Sequence, residues 1–296
     1  MNNNWEDKFR RWATPPGKTE EEKCTNAEKA IKNAINACNK LNHRDIKIFT
    51  QGSYRNNTNV RADSDVDVGI LCNDTFFYDF PQGYTRESFG ISPATYHYAQ
   101  FKNEVGVALV DYFGKDAVSR GNKAFDIKGN SYHVEADVAP FFEHRSYSTD
   151  GTYLSGVALH PDNGGQIINW PEQHYNNGVE KNVATGRAFK SLVRIIKCLC
   201  NEMAEHNVQQ AKEVCGFLIE CLVWNVPNSK FTHPDWTGKV WACLAHLFNN
   251  TKAEETCKDW GEVSELKYLF SINQKWSRQQ AFLFIDNALN YIRFPN

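Results

Sequence analysis

Three aspartates in this chain carry the spacing that phosphoryl-transfer chemistry requires. In Asp65-Val66-Asp67-Val68-Gly69-Ile70, strand alternation puts both carboxylates on one face and Val66, Val68 and Ile70 on the other. Their backbone positions are then roughly 6.5 to 7 Å apart, so the side chains can converge on one cation. Two like charges on a half-buried strand raise each other's pKa unless something neutralises them. A hard divalent cation does so, and Mg²⁺ held by a few carboxylates plus substrate phosphates fits. Asp137, within His133-Val134-Glu135-Ala136-Asp137-Val138-Ala139, supplies a third carboxylate opposite a Val134, Ala136 and Val138 face. Such a set can share two ions about 3.5 to 4 Å apart, one on a triphosphate and one at the attacking hydroxyl. The expected catalytic residues and metal ligands are therefore Asp65, Asp67 and Asp137, with two Mg²⁺ ions as cofactor and Mn²⁺ as a substitute.

A D-x-D alone equally describes a polar strand face or a turn. Gly52-Ser53 narrows the choice, because a glycine-serine turn leaving a strand lets backbone N–H groups and a hydroxyl approach a phosphate. It precedes Asp65 by about a dozen residues, where a phosphate cradle should precede the metal ligands.

The elements that must position these residues follow from periodicity. After Pro15-Pro16-Gly17, Thr19-x-x-Glu22 reads as a capping box. Ala27, Ile31, Ala34, Ile35, Cys38 and Leu41 then give the packed face of a helix. Strands are expected at 46–50 and 66–71. A helix starting at Ser92-Pro93 should run to Phe113, and two strands, 124–128 and 132–139, should be joined at Gly129-Asn130. Residues 143–180, rich in Gly, Asn, Pro and aromatics, read as a long ordered loop. Helices are expected at 182–204, 209–225, 236–249, 261–271 and 277–293, the last opened by a Ser277-x-x-Gln280 capping box. The fold class is α+β: an N-terminal mixed or antiparallel sheet lobe with a long helix (1–180) and a helical-bundle lobe (181–296), with a cleft expected between them.

Gln51-Gly52-Ser53-Tyr54, Thr58, Arg61, Asp65-Val66-Asp67-Val68-Gly69 and Glu135-Ala136-Asp137-Val138-Ala139-Pro140 resemble the polymerase-beta-type nucleotidyltransferases. More narrowly they resemble the branch of oligoadenylate synthetase, cyclic GMP-AMP synthase and the bacterial cyclic-oligonucleotide synthases, over about residues 25 to 225. The resemblance implies a bilobed enzyme whose N-terminal helix spans both lobes. It also implies NTP substrates (ATP, with GTP, UTP or CTP) joined into a cyclic di- or trinucleotide with release of pyrophosphate, in anti-phage defence. Regulatory or effector proteins encoded nearby, a monomeric state and a cytoplasmic location belong to the same expectation.

Arg187, Lys190, Arg194 and Lys197 fall within one quadrant of a helix, opposite Phe189, Leu192, Val193, Ile196, Leu199 and Cys200. A basic stripe of this kind is commonly a solvated face. The resemblance gives it another use, since an Arg-x-x-Lys on the equivalent helix of oligoadenylate synthetase-like enzymes touches the triphosphate, and Arg194-Ile195-Ile196-Lys197 has that form. Gly52, Ser53, Lys190, Arg194 and Lys197 are thus the expected nucleotide-binding residues.

The rest of the sequence mostly excludes. The net charge is −2, so nothing global suggests a nucleic-acid polymer or an anionic membrane as partner, and any basic site must be local. No apolar run reaches the ~18 to 20 residues of a membrane span, and the N-terminus lacks signal-peptide form. Nine cysteines without a C-x-x-C pair read as reduced, mostly buried thiols, and three N-x-T sequons are sequons in form only. The H-x-E of His133-Val134-Glu135 lacks the Cys-x-x-Cys of a zinc deaminase, and no zinc-bearing DNA-sensing module is present. Tyr54, Trp170 and Tyr175 could stack on a base or simply anchor a loop. Two alternatives stay open: a nucleotidyltransferase acting on a macromolecule or drug, and an inactive nucleotide-binding scaffold.

Overall fold

The computed structural model describes residues 3–60 and 65–293. It divides into two compact units, each discontinuous in sequence: Gly17–Gly52 with Ser64–Pro171, and Met1–Pro16 with Ser53–Asp63 and Glu172–Asn296. The chain changes unit between Gly52 and Ser53, inside the expected cradle. The short helix α1 (Asn3–Trp12), which periodicity did not suggest, is grouped with the helical unit rather than with the sheet.

The first unit is built on a mixed seven-stranded sheet. Helix α2 (Lys18–Ala37) leads into β1 (Ile46–Thr50). Gly17, not Thr19, is the N-cap, so the expected capping box lies inside the first turn. After α3 (Gly52–Arg55), strand β2 (Val66–Asp79) pairs antiparallel with β1. β2 is longer than expected because its register shifts between Cys72 and Phe76 and then resumes. Asn73-Asp74-Thr75 resembles a turn in sequence, but here it is a bulge held by Arg44 to Asp74 Oδ2 at 2.9 Å and by Asp45 N–H to Asp74 Oδ1 at 3.1 Å.

Helix α4 (Tyr98–Phe113) starts six residues after Ser92, with His97 as N-cap, and stops at Gly114 at a φ of +88°. Strands β3 (Val118–Arg120), β4 (Phe125–Ile127) and β5 (Ala136–Tyr147) follow, giving the order β1-β2-β5-β4-β3. β5 runs parallel to β2 and antiparallel to β4. The two central strands have cores of Val66, Val68 and Ile70, and of Ala136 and Val138, all nearly inaccessible, as strands covered by helices require.

Residues 143–180 are not a loop. They hold the end of β5, then β6 (Tyr153–Leu159), β7 (Ile167–Asn169) and the start of α5 (Pro171–Ala184). The glycine that lowers the strand signal in β6, Gly156, has a packing reason: a Cβ there would meet the Trp170 ring and the Asn169 carbonyl.

The second unit packs α1, α6 (Ala188–Glu205), α7 (Gln209–Lys212), α8 (Gly216–Trp224), α9 (Trp236–Thr251) and α10 (Arg278–Arg293) around one apolar core that includes Phe9, Phe189, Leu192, Leu222, Leu244 and Phe284. The expected helix at 209–225 is broken between α7 and α8, and 261–271 is irregular, closed by a bridge from Gly261 to Tyr268. Val263 and Leu269 are fully buried there, so apolar spacing reflects anchoring rather than helical periodicity. The second capping box is present as expected: Ser277 N–H donates to Gln280 Oε1 at 2.8 Å and Gln280 N–H to Ser277 Oγ at 3.2 Å. None of the nine cysteines forms a disulfide, and no described helix is long and apolar enough to cross a membrane.

Candidate active site

The carboxylates are aligned by strand register. Parallel pairing sets Asp67 beside Asp137, and antiparallel pairing sets Asp126 of β4 on the other side of Asp137. Neighbouring strands are about 5 Å apart, so three acids form a row across β2, β5 and β4. Asp65 stands one residue before β2, whose first N–H, that of Val66, donates to the Glu135 carbonyl at 3.0 Å. Burial of its surroundings, then Asp126, Asp65 and Glu135, push the Asp137 carboxyl up to about 6, although the residue as a whole is reached by solvent. Asp126 was not anticipated. Its sequence signal is the alternation Phe125-Asp126-Ile127, with both flanking residues buried.

This donor set suits a divalent metal. It offers hard oxygen ligands, and like-charge crowding at Asp137 is what a cation would relieve. Among the described residues, no three His, Cys, Asp or Glu side chains stand close enough to enclose an ion unaided. That is compatible with Mg²⁺, which takes one or two carboxylates and completes its shell with water and substrate phosphate.

Gly52 is required twice over. Its φ is +64°, and a Cβ at this position would collide with Asp67 Oδ2. The glycine therefore makes room for the Asp67 carboxylate. Gln51 N–H donates to the Asp67 carbonyl at 2.9 Å, which fixes the exit from β1 to the same aspartate. Ser53 opens a segment closed by Thr58, whose N–H donates to the Ser53 carbonyl at 2.9 Å. Arg61 lies outside the described residues.

The basic stripe is buried at Arg194 and Lys197 and open to solvent only toward Arg187. Arg187 precedes α6 in a left-handed conformation (φ +68°) and is exposed. Lys190 is half-buried, its ammonium 5.4 Å from the centre of the Tyr175 ring, and burial lowers its pKa. Arg194 is buried, and its donors go to protein: Nε and Nη2 to the Ala13 carbonyl at 2.9 and 2.5 Å, Nη2 to Ser191 Oγ at 3.0 Å, and Nη1 to the Asn57 carbonyl. In this structure it grips the chain next to Thr58 instead of presenting a free guanidinium. Lys197 is only 3 % exposed, yet among the described residues no acceptor lies within hydrogen-bond distance of its ammonium. The nearest carboxylate, Glu220 Oε2, is 3.9 Å away. An ammonium that stands off its nearest carboxylate in this way can take an anion as ligand.

The weaker sequence signals resolve as structure. Two cations, Arg55 at 4.8 Å and Lys190 at 5.4 Å, lie over Tyr175, on α5 rather than in a loop. Trp170 packs against Gly156. His133 is buried and occupied by the Val134 carbonyl at 2.8 Å and Asn130 at 3.1 Å, before β5 begins.

A nucleotidyltransferase domain matches residues 31–141, and the C-terminal helical domain of cGAS/DncV-like nucleotidyltransferases matches residues 176–293. The chain belongs to this family and is a nucleotidyltransferase, a class that uses divalent metal. It is 41% identical to the cyclic dipyrimidine nucleotide synthase CdnE of Cecembia lonarensis over 98% of each chain, and 43% identical to that of Legionella pneumophila over 99% of each. The solved structure of Elizabethkingia meningoseptica CdnE cyclic dinucleotide synthase with GTP and Apcpp superposes with a TM-score of 0.82 at 34% identity, covering 98% of this chain and 99% of that one.

Proposed function

We propose that this enzyme joins two or three NTPs into a cyclic oligonucleotide, releasing pyrophosphate at each transfer, and that the product is a second messenger in bacterial anti-phage defence. The observation that carries the chemistry is the register of Asp67 with Asp137, next to a glycine made obligatory by its left-handed backbone and by the Asp67 carboxylate. The relatives named as dipyrimidine synthases support UTP and CTP as preferred substrates among the four NTPs.

In this reading Asp65, Asp67 and Asp137 hold two Mg²⁺ ions, with Mn²⁺ able to replace them. Bound there, the metal neutralises the triphosphate and lowers the pKa of the acceptor hydroxyl. Asp137 also orients that hydroxyl. Gly52 and Ser53 approach the donor phosphates, and Lys190 and Lys197 add positive charge where pyrophosphate leaves. Arg194 serves the same site by holding the Asn57 carbonyl. The division into a catalytic lobe (1–180) and a helical lobe (181–296), a monomeric state, a cytoplasmic location and effector proteins encoded nearby belong to the same proposal.

Purified protein incubated with labelled NTPs and Mg²⁺ tests it. Phosphatase-resistant small products of defined mass are expected, and Asp65→Asn or Asp137→Asn should abolish them in a folded protein. Label appearing only on added RNA, protein or drug, or nucleotide binding without turnover, would overturn it.

A further inference from the structure

We propose that Glu220 is a positioning residue for the donor triphosphate, fixing the end of the Ser53–Thr58 segment and the Lys197 ammonium in one buried cluster. The proposal rests on the reading of Ser53 and Lys197 given above. Glu220 lies on α8 among Leu218, Ile219, Cys221, Leu222 and Val223, all of them buried, and is itself only 3 % exposed. Its two oxygens divide the work. Oε2 accepts from Thr58 Oγ1 at 2.7 Å and faces Lys197 Nζ at 3.9 Å, while Oε1 is 3.0 Å from His174 Nε2 of α5.

An apolar side chain of similar volume would serve this core as well or better, since a buried ion pair rarely adds stability over a hydrophobic replacement. The acid is therefore best explained by what it holds. Thr58 is fully buried, and its N–H closes the segment onto the Ser53 carbonyl. Arg194 grips the preceding residue, Asn57, by its carbonyl. The end of the 53–58 segment is thus pinned twice, at Asn57 and at Thr58, and one of the pins is the carboxylate that faces Lys197. A Cβ at Gly216 would stand 3.3 Å from Lys197 Nζ, so the glycine keeps the surroundings of that ammonium open.

The carboxylate is well suited to the role. Burial alone would push Glu220 up, but the His174 hydrogen bond, the Lys197 charge and the Thr58 hydroxyl outweigh it and hold the group below the usual glutamate range. Glu220 consequently stays charged, and Lys197 keeps a counter-charge at a distance that leaves its N–H groups for another acceptor.

Binding of inorganic tripolyphosphate with Mg²⁺, measured by calorimetry, reads the phosphate site without any base. Glu220→Gln should weaken it, and raise KM for NTP, about tenfold (about 1.4 kcal/mol). kcat should change by less than about twofold, since an effect on uniform binding appears in KM. Thr58→Val should act in the same direction, and the double variant should be about as weak as the weaker single one, because both act through one cluster. Unchanged tripolyphosphate affinity in folded Glu220→Gln, or effects of the two substitutions that simply add, would sink the proposal. If Glu220→Gln does not fold, Thr58→Val alone decides by the same affinity measurement. Ser53→Ala and Lys197→Met run alongside. If neither weakens tripolyphosphate, the reading of the phosphate site itself fails; if they weaken it and Glu220→Gln does not, only the role of Glu220 falls.

Discussion

At the scale of single residues, the chemistry turns on like charges held side by side. Asp137 sits between Asp67 and Asp126 in register and titrates near 6 instead of in the ordinary aspartate range. In the metal-free protein the folded state therefore binds the proton more tightly than the unfolded chain. Stability contributed at this site is present at low pH and is lost as pH rises from about 4 to about 6. Mg²⁺ with NTP should restore it, so the gain in Tm on adding both should be larger at pH 7.5 than at pH 5. Asp137→Asn should remove that pH dependence. Asp126→Asn removes one like charge, so the acid limb of the activity profile should move to lower pH; a limb that stays in place would mean that Asp126 does not act on Asp137. Arg194 carries a different lesson. A basic residue at the right helical spacing was legible in the sequence, but its donors are taken by the Ala13 and Asn57 carbonyls, which no spacing rule could reveal.

Among the elements, the turn from β1 into α3 is the most constrained. Gly52→Ala meets both a left-handed backbone and the Asp67 carboxylate. Moving Asp67 by even about 1 Å should cost about a hundredfold in kcat/KM, while circular dichroism should remain close to wild type. At the far end of the chain, Ser277→Ala removes half of a reciprocal cap and should lower stability by about 0.5 to 2 kcal/mol with kcat unchanged. The elements most readily read were those with a clean period: β1, the start of β2, the end of α4, α10 and α6, which starts at Ala188 and not at 182. Those misread had a local composition that imitated something else. The strand signal of β2 stops short of its register shift at Cys72–Phe76, the Gly- and Asn-rich stretch holding β6 and β7 imitates a loop, and Val263 to Leu269 imitates a helix face. In each case a contact with a distant segment decides the conformation: Arg44 on Asp74, Trp170 on Gly156, and Asn225 Nδ2 donating to the Gly261 carbonyl at 2.8 Å.

For the whole molecule, ligand linkage gives a test that needs no knowledge of the product. An NTP that binds the folded chain with Mg²⁺ at a hundred times its Kd should stabilise it by about 2.7 kcal/mol. Comparing the four NTPs by their shift in Tm would rank the bases, and UTP and CTP are expected to lead. What the sequence determined by itself was the class of chemistry. A strand has period two, so D-V-D-V and E-A-D-V each fix which side chains share a face, and Gly52-Ser53 marks a backbone that something must approach. What the tertiary structure alone decided is which residues meet: Asp126 against Asp137 across a hairpin, and Thr58, His174 and Lys197 around Glu220 from four separate segments. Periodicity describes the orientation of neighbours along the chain. A buried cluster joining Thr58 to Glu220, 162 positions apart, forms only when the packing of the helical unit brings those segments together.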